Sequence, residues 1–161
     1  MDCEPECVYS ENDMEKKYRL YFILAFLGVI LVGCATIRPP SGSVPVERQM
    51  LVTGYCRCGE CCGWKRNWIG LPVVSSGSRK GTPKVVGMSA SGSRAKYGTI
   101  AADPSKYPFG TVMYVDGYGY GRVEDTGLMI KGEHIDIFFR DHAQAQKWGA
   151  KRNMIVKIWK Q

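Results

Sequence analysis

The sequence predicts a mainly β protein, a closed barrel of six short strands with one or two short helices. Three observations lead there. Short apolar runs follow one another closely, separated by turn signals at Asp103-Pro104, Pro108-Phe109-Gly110, Asp116-Gly117, Thr126-Gly127 and Lys131-Gly132. Nineteen glycines and a scarcity of long helical periods favour strands and turns. Asp103, Asp125 and Asp136 stand at the ends or middles of those runs, where carboxylates are rare unless something requires them. A barrel mouth lined by acids is therefore expected, and closure would leave no sheet edge to protect.

Taken in order, residues 1–33 are expected to lie outside the fold. Met1 to Asp13 is acidic and polar and carries Cys3 and Cys7, and Met14 offers a second plausible start. A short basic region then precedes the apolar run Leu20 to Val32, which fits the core of an export signal and is short for a spanning helix of about 20 apolar residues. Leu31-Val32-Gly33-Cys34 looks like a bacterial lipobox with Cys34 as the lipidated residue; the alternative is a plain membrane anchor extending to Ile37. Residues 34–48, rich in Pro, Ser and Gly, read as a flexible tether.

The domain, residues 49–161, is expected to open with a strand over Met50 to Tyr55. A cysteine-rich turn follows, and Lys65 to Gly87 shows no clean period and reads as a loop over one face. Further strands are expected at Gly98 to Asp103, Thr111 to Asp116, Tyr120 to Asp125, His134 to Phe138 and Met154 to Trp159. A helix fits Asp141 to Trp148, with Asp141 as N-cap and Gly149 as the stop.

The formal charge of +7 is unevenly spread. The first 33 residues hold three basic and six acidic side chains, so the remainder is strongly basic, at +10. Such a surface prefers polyanions, whether nucleic acid, anionic lipid or the carboxylates of cell-wall peptides, and charge does not choose among them. Nucleic-acid binding has only this charge in its favour. No phosphate-cradling glycine loop is present, because the glycines sit in turns between strands.

The ordered series Ser89-Ala90-Ser91-Gly92, Thr99-Ile100-Ala101-Ala102-Asp103-Pro104, Pro108-Phe109-Gly110-Thr111, Glu124-Asp125-Thr126-Gly127, Ile130-Lys131-Gly132, His134-Ile135-Asp136-Ile137-Phe138 and Ala145 to Gly149 resembles the three-aspartate (3D) domain family. That family is a double-psi β-barrel, also found as the catalytic domain of a membrane-bound lytic transglycosylase. The aspartate intervals of 22 and 11 residues fit its spacing, and the resemblance covers Val52 to Trp159. It implies cleavage of the β-1,4 bond between N-acetylmuramic acid and N-acetylglucosamine without water, leaving a 1,6-anhydro sugar, with no cofactor and no metal.

By position in the motif, Asp136 matches the acid/base. Asp125 is the expected partner raising its proton affinity, and Asp103 either does the same or caps the turn at Pro104. Thr126, Gly127, Lys131, Lys80 and Ser91 are expected to meet the substrate. Leu128 stands where the pattern suggests a second glycine, which would narrow that turn. The implied location is the cell envelope, facing the periplasm or the cell surface, with glycan strands as the partner and no nucleic acid. The competing expectation is a non-catalytic, expansin-like wall-binding module on the same barrel.

Cys56, Cys58, Cys61 and Cys62 crowd seven residues. Cys58-Gly-Glu-Cys61 has the gap of a zinc knuckle, but no second paired set follows, and adjacent Cys61 and Cys62 rarely chelate one ion together. A disulfide or loop staple is the expectation after export, with three pairings open. His134 and His142 are the only histidines; His134 lies two residues before Asp136 and so shares its face of a strand. The aromatic residues Tyr114, Tyr118, Tyr120, Trp64 and Trp68 are candidates for either core or sugar stacking.

Overall fold

The computed structural model describes residues 36–160; the export segment, Cys34 and the alternative start at Met14 lie outside the described residues. All the described strands and helices belong to the unit Ile37–Gln161. Its elements are β1 (Val46–Tyr55), α1 (Gly59–Cys62), β2 (Trp64–Arg66), β3 (Pro72–Val74), β4 (Thr99–Ala101), β5 (Val112–Val115), β6 (Gly119–Asp125), β7 (His134–Phe138), α2 (His142–Trp148) and β8 (Ala150–Trp159). None of the described helices is long and apolar enough to cross a membrane.

Six strands close a barrel in the order β1-β7-β4-β6-β5-β8. The pairs β1/β7 and β4/β6 are parallel and the remainder antiparallel, the arrangement of a double-psi barrel. The interior is filled by Met50, Val52, Ile100, Met113, Val115, Val123, Ile135, Ile137, Val156 and Ile158, all almost fully buried. Alternation along each strand selects them: Ile135 and Ile137 are buried while His134 and Asp136 beside them are partly exposed. Gly121 is required here, since a Cβ would lie 2.5 Å from Ile100 Cδ1 and 2.9 Å from the Gly98 carbonyl oxygen.

Several boundaries differ from expectation. The first strand starts at Val46, because residues 46–50 pair with the end of β8 from Ile158 to Met154 before a register shift at Met50/Val52. Past that shift, Val52 and Thr53 pair with Lys151 and Ala150 and draw β8 back to Ala150. The stretch expected to be a loop from Lys65 to Gly87 begins with a two-stranded antiparallel sheet, Trp64–Arg66 against Pro72–Val74, too short for any period to show. The helix begins as expected, with Asp141 Oδ1 accepting from the Gln144 N–H at 2.8 Å, and Gly149 ends it.

Candidate active site on the outer face of the barrel

A single row of residues crosses four neighbouring strands. Thr53 on β1 is level with Asp136 on β7, Asp136 with Ala101 on β4, and Ala101 with Asp125 on β6. The adjacent row, Val52, Ile135, Ile137, Ile100 and Val123, faces the interior, so the Thr53 row faces out. Straight alternation from Val123 would turn Asp125 inward too. The register shift between Ile100 and Ala101 prevents this, because Ile100 pairs with Val123 but Ala101 pairs with Asp125. A bulge of this kind re-aims one side chain. The acids therefore lie on the barrel's outer wall and do not ring its mouth as the sequence suggested.

Ala101 is the floor of the site, buried in a small cluster with Tyr55 and Phe138, against which Cys61, Cys62 and Ala95 pack. Its methyl group leaves space for the carboxylates on either side. Asp125 is held by three donors: the N–H groups of Ala90 and Thr126 reach Oδ1, both at 2.9 Å, and the Tyr55 hydroxyl donates to Oδ2 at 3.1 Å. Burial and the neighbouring Asp125 raise the proton affinity of Tyr55, which keeps it a donor.

Asp136 is half-buried, and burial pushes its carboxyl up to about 6; the charge of Asp125 adds to this, against the opposing Thr53 hydroxyl. Thr53 Oγ1 lies 2.9 Å from Asp136 Oδ1 and 3.0 Å from His134 Nε2, and His134 Nδ1 is 3.2 Å from the Met129 carbonyl oxygen. Because that carbonyl only accepts, Nδ1 carries the hydrogen. His134 is thus joined to Asp136 through a hydroxyl, a link that i, i+2 spacing hinted at and that only the β1/β7 register makes.

Asp103 belongs to a different network. Its Oδ1 accepts from the Ser105 N–H and hydroxyl, at 3.1 and 2.7 Å, and its Oδ2 from the Gly132 N–H at 3.1 Å. The Gly132 N–H, the Ser105 donors and nearby Lys131 hold it down at about 2. It ties the turn after β4 to the turn before β7.

The other expected contact residues are scattered. Thr126 is exposed beside Asp125, and Gly127 packs so closely on Ile130 that a Cβ would meet Cγ1 at 2.7 Å. Leu128 does not narrow its turn, being 94% exposed. Ser91 is exposed in a hydroxyl cluster with Ser89 and Ser93, and its N–H donates to the Glu124 carbonyl oxygen at 3.0 Å. Lys131 is exposed near Asp103, and Lys80 lies in the exposed turn after β3. A separate cavity of about 450 Å³ is lined by Arg57, Ala95, Lys96, Tyr97, Phe138 and Arg140 and by none of the aspartates.

No disulfide joins Cys56, Cys58, Cys61 and Cys62. Cys56, Cys58 and Cys61 gather around His142, the first residue of α2, while Cys62 turns away and donates to the Cys56 carbonyl oxygen at 3.1 Å. No spacing signal pointed to His142, because it lies 81 residues beyond Cys61 and only the parallel β1/β7 pair brings it there.

Fold and site together define a double-psi barrel that presents a raised carboxyl next to a firmly held one. Residues 98–160 match the family model of the 3D domain. β1 and the cysteine turn lie outside the matched span. Among similar proteins are the putative cell wall shaping protein YabE of Bacillus subtilis (strain 168), 48% identical over 59 residues, and the cell wall-binding protein YocH of the same organism, 46% identical over 59. Each match covers 37% of this chain, and the chain spans only 14% and 20% of their lengths. Of solved structures, the lytic transglycosylase MltA from E. coli overlays at a TM-score of 0.37 and 20% identity, over 50% of this chain and 30% of that one.

Proposed function

We propose that the protein is an exported, lipid-anchored lytic transglycosylase acting on peptidoglycan in the cell envelope. The observation that carries this reading is Asp136, poised at about 6 on the outer wall with Asp125 across the Ala101 floor. A general acid must hold its proton near the working pH, and burial with a neighbouring negative charge provides that. The proton of Asp136 passes to the leaving glycosidic oxygen of N-acetylglucosamine as the bond to the muramoyl C1 breaks. The muramoyl C6 hydroxyl then attacks C1, and the Asp136 carboxylate takes its proton, restoring the acid and closing the 1,6-anhydro ring. One carboxyl serves both halves, whereas hydrolysis ordinarily engages two.

Thr53 serves both protonation states. With Asp136 protonated, donors run from Asp136 to Thr53 to His134 to the Met129 carbonyl, each used once; with Asp136 ionised, the hydroxyl turns to Oδ1. Asp103 acts as a positioning residue through the turns it joins. Arg57, Lys96 and Arg140 around the separate cavity would attract stem-peptide carboxylates. Residues 1–33 supply the export signal, Cys34 the lipid and the following stretch, up to β1, the tether.

A second reading, a wall-binding module without catalysis, is favoured by the name of the YocH relative. Purified sacculi digested with the full chain and with Asp136→Asn separate the two. Catalysis gives anhydromuropeptides by mass spectrometry with the native protein and at least about a hundredfold fewer with the variant, with sacculus binding retained. Equal binding and no products from either protein would establish the binding module.

A further inference from the structure

We propose that Cys56, Cys58, Cys61 and His142 bind one Zn²⁺ as a closed structural site that fastens the end of β1 to the start of α2. The proposal is independent of the catalytic reading. The four ligand atoms all lie within 4.8 Å of one another. His142 Nδ1 is 3.4 Å from Cys58 Sγ, 3.5 Å from Cys61 Sγ and 3.9 Å from Cys56 Sγ, and the Cys56 and Cys61 sulfurs are 3.8 Å apart. A regular tetrahedron with Zn–S of about 2.3 Å and Zn–N of about 2.0–2.1 Å has S···S edges of about 3.8 Å and S···N edges of about 3.5 Å. Four of the six edges, at 3.4, 3.5, 3.8 and 3.9 Å, lie close to these values, and the other two are within 4.8 Å.

Three further features fit an ion and have no place in a disulfide. One imidazole nitrogen points at three sulfurs together. Its other nitrogen, Nε2, faces Glu60 Oε2 at 3.1 Å, so that Nε2–H donates to a carboxylate and fixes Nδ1 as the ligand atom, the usual support behind a zinc-bound histidine. The N–H groups of Cys58 and Cys61 donate to the sulfurs of Cys56 and Cys58, both at 3.4 Å, as thiolates sharing a cation require. The turn is built to this shape: Gly59 lies so close to the Trp64 carbonyl that a Cβ would be 2.4 Å from its oxygen, and Gly63 ends α1 in the left-handed region at φ 59°. Three thiolates and one imidazole select Zn²⁺ over hard, oxygen-seeking cations, and four protein ligands leave no open position for catalysis. Binding releases the thiol protons to solvent.

The site lies one residue beyond Tyr55, which donates to Asp125, and four residues beyond Phe138 on the neighbouring strand. The ion therefore braces the strand ends that carry the acid row.

The test uses the full chain, purified without chelator or reductant. One equivalent of zinc is expected by elemental analysis, and replacement by Co²⁺ is expected to give the visible bands of a tetrahedral thiolate site. On alkylation followed by peptide mapping, Cys56, Cys58 and Cys61 are expected to react only after a strong chelator is added. Cys62→Ser keeps its zinc; Cys58→Ser and His142→Ala each lose it, and Glu60→Gln weakens affinity about tenfold. A disulfide joining any two of Cys56, Cys58 and Cys61 in the isolated protein would overturn the proposal. So would failure of the reduced native chain to take up Zn²⁺ or Co²⁺, a result that needs no variant to fold. Sacculus digestion that fails while zinc binds separates this site from the catalytic reading.

Discussion

Asp136 is held in a state that folding alone would not choose. Its folded value, about 6, lies above the ordinary 3.8, so its favourable contribution is complete below 3.8 and is lost as pH rises through about 6. Asp136→Asn removes that loss, and at pH 7 the variant is expected to be more stable by roughly 1–3 kcal/mol, allowing for partial exposure, in denaturant titrations. The difference should shrink as the pH falls toward about 4. Thr53→Val takes away the one group that holds Asp136 down, so its titration moves upward; the alkaline limb of the activity profile, set by loss of the acid's proton, should shift to higher pH. The aspartate proposed for the chemistry was legible from the motif, and His134 sharing its face from spacing. That Asp103 caps the turn at Pro104 was one of the two roles open in the sequence, and its Oδ1 accepts from Ser105 there; the tie of its Oδ2 to Gly132, 29 residues away, was not legible.

At the scale of single elements, β4 decides most. It is three residues long, yet it presents Ile100 to the core and Ala101 to the site, between β6 on one side and β7 on the other. Gly121 on β6 makes room for the Ile100 side chain. Gly121→Ala is expected to force the two strands apart and cost about 1–3 kcal/mol in thermal or denaturant unfolding, with sacculus binding weakened because the bulge that aims Asp125 is on the same pair. Strands with clean alternation, such as His134–Phe138, were readable to the residue. The bulge was not, because an extra residue in one strand leaves the hydrophobic pattern of Tyr120 to Asp125 intact and shows only in what it faces. The Trp64–Arg66 hairpin also escaped, its strands being too short to display a period.

Across the whole molecule, the barrel count followed from turn signals, while the order of strands did not: two parallel pairs join segments far apart in the chain. The same pairing creates both the acid row and the thiol cluster. β1 and β8 run antiparallel from Val46 opposite Ile158 to Thr53 opposite Ala150, so β1 leads from the N-terminal end of the unit directly to the acid row. Tension between that end and a bound polymer would act along the strand and load its hydrogen bonds to β7 and β8 together in shear. A molecule pulled from its N-terminal side would therefore grip before it unzipped.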